Sequence, residues 1–364
     1  MPVYLDNNAS TPLDARVLDA MLPYLSGPHA NPSSVHRYGR MARDAVETAR
    51  HQVARLVDAQ PQGLIWVSGG TEANNLAVKG VVGTGRILYG ATEHPAVMEA
   101  AESLGAEAIA VDGQGVVRWP EFEAQLKKAP VKLVSLMRAN NETGVIQDVA
   151  RATQLAHAAS ALMHVDAVQA LGKIAVDFSA LDCDLMSLSS HKIYGPKGIG
   201  ALVMKSGVEL QPLHHGGPQE RGLRGGTENV AGIVGFGAAA ELAMQELAQR
   251  QTHTQALRAR LEAGLKQLPR LMIFSEGVER LSNTVQFGVP DRDGETVLIE
   301  LDKRGMAVSS GSACASGSRE PSHVLVAMGI EPALAKSAIR VSLGKANTDV
   351  EVDQFLAALR EVLA

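Results

Sequence analysis

Lys192, Asp166 and Thr71 are the residues of this 364-residue sequence whose types and settings point most directly to chemistry. Each follows a short apolar run that reads as a β-strand. The run 64–67 precedes Ser68-Gly69-Gly70-Thr71-Glu72, 162–165 precedes Asp166, and 184–189 precedes Ser190-His191-Lys192. In open parallel sheets, ligands gather beyond the carboxyl ends of the strands. A strand-to-helix turn with two glycines and a hydroxyl offers unpaired N–H groups and partial positive charge, a setting for a phosphate. The same turn also reads as a plain N-cap on Thr71, and it matches neither the Walker loop nor G-x-G-x-x-G. Asp166 could cap the next helix or face a cationic ring nitrogen. Lys192, followed by Ile193-Tyr194-Gly195-Pro196, could be a surface ammonium or a Schiff-base amine. Taken together, a phosphate turn, a carboxylate for a pyridinium nitrogen and an amine for an imine are the three anchors that pyridoxal 5'-phosphate requires.

Two further strand ends feed the same region. Asn140-Asn141-Glu142 follows the run 131–137 and supplies amides where a substrate or phenolic oxygen could sit. Glu93-His94-Pro95 follows 86–89, and its imidazole could lie over the cofactor, shuttle a proton or simply cap a helix. The segment 309–318, Ser-Ser-Gly-Ser-Ala-Cys-Ala-Ser-Gly-Ser, surrounds Cys314 with small side chains. Such residues neither pack a core nor lock a rotamer, which predicts a mobile loop with an accessible thiol. Cys183, just before a strand, reads as structural. Two cysteines without Cys-x-x-Cys form neither a disulfide framework nor a structural zinc site. His214-His215 has no third ligand in view, so no metal is expected.

These residues must be held by an alternating framework. Strand-like runs at 64–67, 86–89, 131–137, 162–165, 184–189 and 200–204 are interleaved with helical patterns at 71–82, 96–104, 120–127 and 148–159. An amphipathic stretch at 40–57 comes before them. The pattern predicts an α/β fold with a mainly parallel sheet. After about residue 205 a Gly-rich loop, 216–226, leads into a long helical region at 227–268. A smaller α+β unit follows, with strand signals at 283–287, 307–309 and 339–343. The chain closes on a capping box, Thr348-Asp349-Val350-Glu351, ahead of Val352, Phe355, Leu356, Leu359, Val362 and Leu363 on one helical face. The expected organisation is a large domain, 16–245, and a small domain formed by 1–15 and 246–364 that carries the cysteine loop.

Composition narrows the class. With 34 Lys and Arg against 39 Asp and Glu, the net charge of −5 argues against nucleic-acid binding by counterion release. The 2 Trp, 5 Tyr and 6 Phe are too few for a base-stacking surface. The longest near-apolar stretch, 230–240, is far short of a membrane span, and the N-terminus shows no leader. A cytoplasmic protein with no membrane partner is the expectation.

The motifs also fall in one order. They are Tyr4-Leu5-Asp6-Asn7-Asn8-Ala9, Asn31-Pro32-Ser33-Ser34, Ser68-Gly69-Gly70-Thr71-Glu72, Asn140-Asn141-Glu142, His164-Val165-Asp166-Ala167-Val168-Gln169, His191-Lys192-Ile193-Tyr194-Gly195-Pro196-Lys197-Gly198 and the segment 309–314. With this order, spanning about residues 4 to 344, the chain resembles the cysteine desulfurases of the NifS/IscS type, in the class V group of fold-type I pyridoxal phosphate enzymes. The resemblance implies that Lys192 carries the cofactor as an imine, and that His94 stacks on its ring and moves protons. It implies that Asp166 pairs with the ring nitrogen, that Gln169 reaches the phenolic oxygen, and that Gly70, Thr71, Ser189 and His191 hold the phosphate. Asn141, beside the cofactor, and Arg340 would fix the substrate L-cysteine, the guanidinium matching its carboxylate. Thr227 resembles a residue that reaches the phosphate of a neighbouring subunit, which implies a homodimer. The implied reaction leaves L-alanine and a persulfide on Cys314, whose sulfur passes to an acceptor protein, an iron–sulfur scaffold first among the candidates. The alternatives are a selenocysteine lyase or another class V enzyme, and a non-catalytic sulfur carrier using Cys314 alone. A carrier needs neither Lys192 nor Asp166 nor the Thr71 turn.

Overall fold

The structure is a computed structural model, and it describes residues 2–27, 29–310 and 320–364. The chain opens with β1 (Val3–Tyr4) and two helices, α1 (Ala15–Ser26) and α2 (Arg37–Leu56). Then come β2 (Leu64–Val67), α3 (Gly70–Gly80), β3 (Arg86–Gly90), α4 (Pro95–Glu102), β4 (Glu107–Ile109) and α5 (Trp119–Lys128). These lead to β5 (Val131–Met137), α6 (Val149–Ala158), β6 (Leu162–Asp166), α7 (Phe178–Leu181), β7 (Leu185–Ser189) and β8 (Gly200–Met204). A long helix, α8 (Val230–Leu265), precedes β9 (Met272–Ile273), β10 (Thr284–Gly288), α9 (Gly294–Lys303) and β11 (Met306–Ala307). The last elements are α10 (His323–Ala327), α11 (Pro332–Lys336), β12 (Ala338–Ser342) and α12 (Asp349–Leu363).

Seven strands form the main sheet, in the order β2-β8-β7-β6-β5-β3-β4. Only β8 runs against its neighbours, β2 and β7, so β2, β3, β5, β6 and β7 all end at one edge. The central strands are buried along nearly their whole length rather than on alternate residues, because helices cover both faces; every residue of β2 and β7 is buried. The turn after β2 packs directly on the start of β8. A Cβ at Gly200 would lie 2.7 Å from the Gly69 backbone, a close approach only glycine permits.

The sheet and its helices share one large core, and a second core gathers around β10, β12 and α12. Helix α8 serves both. Ile233, Phe236, Ala239, Ala240 and Ala243 pack into the first core, and Leu257, Leu261 and Leu265 into the second. Its span agrees with the long helical region that the sequence places at 227–268. Its length and apolarity would suffice to cross a membrane, but its buried side chains are taken up by α1, α2 and α12. The sequence also places a strand at 307–309, whereas β11 covers Met306–Ala307, where it pairs with β1.

The C-terminal capping box forms as the sequence implies. Glu351 N donates to Thr348 Oγ1 (3.3 Å) and Thr348 N donates to Glu351 Oε2 (2.9 Å). Replacing Thr348 by alanine should destabilise the chain by about 1 kcal/mol, measured as a lower denaturant midpoint.

Candidate active site

The shared strand edge opens into a cavity of about 260 Å³. Gly70 and Thr71 enter it from the start of α3, His94 from the β3–α4 turn, and Asn141 from the loop after β5. Asp166 ends β6, Gln169 follows it, and Ser189, His191 and Lys192 follow β7; all line the cavity. Thus the sheet topology collects nine of the sequence-derived site residues from five strand ends.

One end of the cavity suits a phosphate. Gly69 gives α3 no side-chain cap, so the first N–H groups of that helix await an acceptor. Ser189 Oγ is buried with no hydrogen-bond partner among the described residues. A Cβ at Gly70 would approach Val168 Cγ2 to 3.0 Å, so the turn is kept narrow. An anion seated there would satisfy the helix start and the orphaned hydroxyl together. The expectation that Thr71 might merely cap the helix is not met, since the N-cap is Gly69.

At the other end, Asp166 is 5 % exposed. Its Oδ2 accepts from Asn74 Nδ2 (2.7 Å) and its Oδ1 from Val168 N (2.9 Å). A fixed carboxylate in this position fits a cationic ring nitrogen. Lys192 Nζ is held nearby, donating to the carbonyls of Asn8 (2.6 Å) and Ala9 (2.9 Å). Gln169 Nε2 donates to the same Asn8 carbonyl (2.9 Å).

His94 is both helix cap and cavity wall. Its Nδ1 accepts from Ala96 N (3.0 Å), with Pro95 at the first helical position. Burial lowers its pKa, opposed by Asp166 and reinforced by Lys192. A neutral ring whose Nδ1 accepts must carry its proton on Nε2. His191 is also held neutral; burial first, then Lys192, Lys197 and Lys173, bring its pKa to about 4.

Several functional neighbours escaped the sequence reading. Asn74 sits on the buried face of α3, a polar residue beside Ala73, Leu76 and Ala77, and that interruption is the signal that could have found it. Asn8 meets the site through distant contacts, and Lys173 through Gln169, four residues before it, and through Asn8. Glu93 is fully buried, accepting from Met137 N (2.6 Å) through Oε1 while Oε2 has no partner among the described residues. Burial and then Asp166 raise its pKa well above the usual value. By contrast, His164 lies inside the sheet, bridging Ser135 and Ser187, and burial drives its pKa to about 3.

Glu93 makes a pH prediction. The folded chain retains its proton where the unfolded chain has lost it, so this residue's contribution declines as pH rises above the ordinary carboxyl range. Glu93→Gln keeps the acceptor for Met137 N and has no such proton. The melting-temperature difference, variant minus wild type, should therefore be more positive at about pH 8 than at about pH 5.

Arg340, 1 % exposed, stands beneath Asn141. Its Nη1 donates to the Asn141 carbonyl (3.0 Å) and its Nη2 to Asp6 Oδ1 (2.6 Å). Thr227 is exposed and does not line this cavity; its loop is tied to α3 by Arg224 Nε and Glu72 Oε1 (3.0 Å). Cys314 lies outside the described residues, but both approaches to it are fixed at the site. Ser309 pairs with Arg340 through backbone bonds in both directions. On the far side, Ser322 Oγ donates to Glu142 Oε2 (2.6 Å), and His323 Nε2 bonds to the Glu93 carbonyl (2.9 Å).

An α/β sheet presenting an uncapped helix start, a fixed aspartate and a strand-end lysine in one cavity defines a pyridoxal phosphate site. The chain belongs to the aminotransferase class-V family, whose profile matches residues 3–355. Members of that family use pyridoxal 5'-phosphate, and the residues present fit it. Within the family, the chain is 43% identical to "Cysteine desulfurase 2" of Trichormus variabilis, over 99% of this chain and 93% of that one. Among solved structures it resembles a NifS-like protein from Rickettsia africae, with a TM-score of 0.94 and 36% identity over 100% of this chain and 99% of the other. SspA in complex with cysteine aligns with a TM-score of 0.82 and 32% identity, covering 95% and 99% of the two chains.

Proposed function

We propose that this protein is a cysteine desulfurase, which moves the sulfur of L-cysteine onto Cys314 and releases L-alanine. The observation that carries this reading is the attachment of both flanks of the Cys314 segment to residues just behind the lining of the cavity that contains Lys192: Arg340, which bonds the Asn141 carbonyl, and Glu142 and Glu93, the chain neighbours of Asn141 and His94. Cys314 is five residues from Ser309, a reach of roughly 17 Å at full extension, so an anchored start keeps the thiol within range of the cavity.

Pyridoxal phosphate, when bound, supplies an aldehyde for the amino group and a conjugated ring that accepts electrons from Cα. In our reading, Gly70, Thr71, Ser189 and His191 would hold its phosphate, Asp166 would pair with its ring nitrogen, and Gln169 would serve its phenolic oxygen. Lys192 would be the amine that holds the cofactor and the base for the Cα proton. Arg340 and Asn141 would orient the substrate carboxylate. His94, whose Nε2 carries the proton, would be a cavity-wall donor beside the cofactor. The Cys314 thiolate attacks the substrate sulfur: an S–S bond forms, the C–S bond breaks, and its electron pair stays with the three-carbon fragment, which takes up protons to leave as alanine. The thiol sulfur is oxidised to persulfide while Cβ is reduced, so no external oxidant enters.

We further propose that the two cores correspond to a large and a small domain meeting at this cavity. We propose a homodimer in which Thr227 reaches the partner's phosphate. Exposed apolar residues support the dimer: Leu18, Leu22 and Leu25 on α1, and Val35, Tyr38 and Met41 around the start of α2. An iron–sulfur scaffold protein is the proposed acceptor. The test is turnover of L-cysteine by the purified holoenzyme with a reductant present. Equal amounts of alanine and sulfide are expected; turnover of selenocysteine alone would favour the lyase instead.

A further inference from the structure

A second amine lies behind the wall of the cofactor cavity. Lys173 follows Gln169 by four residues, and its Nζ donates to Gln169 Oε1 (2.6 Å) and Asn8 Oδ1 (2.8 Å). Both partners are neutral amide oxygens. The Asn8 that it grips also presents the carbonyl that receives Lys192 Nζ (2.6 Å) and Gln169 Nε2 (2.9 Å). Asn8 itself is 1 % exposed and bonded on to Thr284 and Asn283. Lys173 and Lys192 share the lining of an interior cavity of about 30 Å³, room for at least one water. Lys192 thus stands between two spaces, the cofactor cavity in front and this small one behind.

Two effects follow. Lys173 Nζ donates to Gln169 Oε1, so it draws that oxygen back towards itself and leaves Nε2 as the group directed at the Asn8 carbonyl and the cofactor cavity. Two amines in one desolvated cradle also disfavour each other's charged forms. Burial foremost, then Lys192 and Arg340, pulls the Lys173 pKa well below the usual lysine value.

We propose that Lys173 is a positioning residue for the cofactor-holding amine: from behind the site it fixes Gln169 and Asn8, and it sets a second amine against Lys192 so that Lys192 gives up its proton more readily. The proposal rests on the cofactor assignment and is independent of which amino acid is the substrate.

The other charged groups around the pair come from every side. In front are Asp166 from β6 and His94 at the start of α4. Arg340 of β12 is bonded to Asp6, and His191 immediately precedes Lys192. Across the rear cavity stand Tyr194, Arg250 of α8 and Lys345. His94 and His191 have lowered pKa values, and burial raises that of Tyr194.

The test is the visible absorbance of the holoenzyme titrated with pH in wild type, Lys173→Met, Lys173→Gln and Lys173→Arg, with cofactor content and melting temperature measured alongside. Lys173→Met should raise the titration midpoint, as expected when an amine that competes with Lys192 for charge in one desolvated cradle is removed. Lys173→Gln, which keeps a donor for Gln169 Oε1 without the charge, should raise it too and supplies the reading should the methionine variant fail to fold. Lys173→Arg, which keeps donors and charge, should restore a midpoint at or below that of wild type. An unmoved or lowered midpoint in the folded, cofactor-loaded Lys173→Met or Lys173→Gln variant overturns the proposal. A wild type without any visible band would overturn the cofactor assignment and this proposal with it.

Discussion

Lys192→Ala should replace the imine absorption of the purified protein by that of the free aldehyde and cut sulfur release from L-cysteine by about a thousandfold or more. The lysine is assigned two tasks, holding the cofactor covalently and moving the Cα proton, and loss of a positioned acid–base group alone costs roughly 10²–10⁴ in rate. The substitution should leave the fold in place. Lys192 Nζ donates to the Asn8 and Ala9 carbonyls, and the Asn8 carbonyl keeps the Gln169 donor. The phosphate end of the cavity is unaltered, so the variant should still bind pyridoxal phosphate, noncovalently and with the spectrum of the free aldehyde. An unchanged absorption maximum would refute the assignment of Lys192. Restored activity on adding a small primary amine would instead strengthen it.

The second large effect separates cofactor chemistry from sulfur transfer. Cys314→Ser should keep the wild-type visible band and cofactor content, yet lose persulfide formation and about a thousandfold of sulfide release. Serine preserves size and polarity but is a far weaker nucleophile at its ordinary pKa. The other cysteine cannot substitute. Cys183 is fully buried in the core, and burial, with Asp184 adding to it, pushes its thiol well above the usual range, so thiolate is not formed there. Cys183→Ala should therefore leave sulfur release near the wild-type rate. Wild-type release by Cys314→Ser would remove the thiol from the account and leave an ordinary class V enzyme.

The parts of this architecture that local chemistry dictates were readable from the sequence. β2, β5 and β8 fall on the predicted spans because buried strands in a covered sheet are continuous apolar runs bounded by turn residues. The site residues were legible for a related reason: a parallel sheet delivers whatever follows each strand to one edge. Helix α1 was not legible. Leu18, Leu22 and Leu25 face outward while Val17 and Met21 are buried, so its apolar residues define no single inward face, and Pro23 lies within it. The span of α8 was legible, the helical region at 227–268 matching Val230–Leu265, but not that its buried face passes from one core to the other along its length. Asn8 and Asn74 owe their roles to partners far away in sequence; Asn74 reaches Asp166 across 92 positions and Gln169 reaches Asn8 across 161. No periodicity records such contacts. Glu93 looked like a neighbour of His94, and only the fold shows a carboxyl group sealed behind the cavity.

Peptide mass spectrometry of the enzyme after turnover with L-cysteine, without reductant and with free thiols blocked, bears most directly on the whole reading. The peptide containing Cys314 should gain the mass of one sulfur atom while the Cys183 peptide stays unmodified, and alanine should appear in equal measure. Alanine formed with no added sulfur on Cys314, or the extra sulfur found on Cys183, would contradict it.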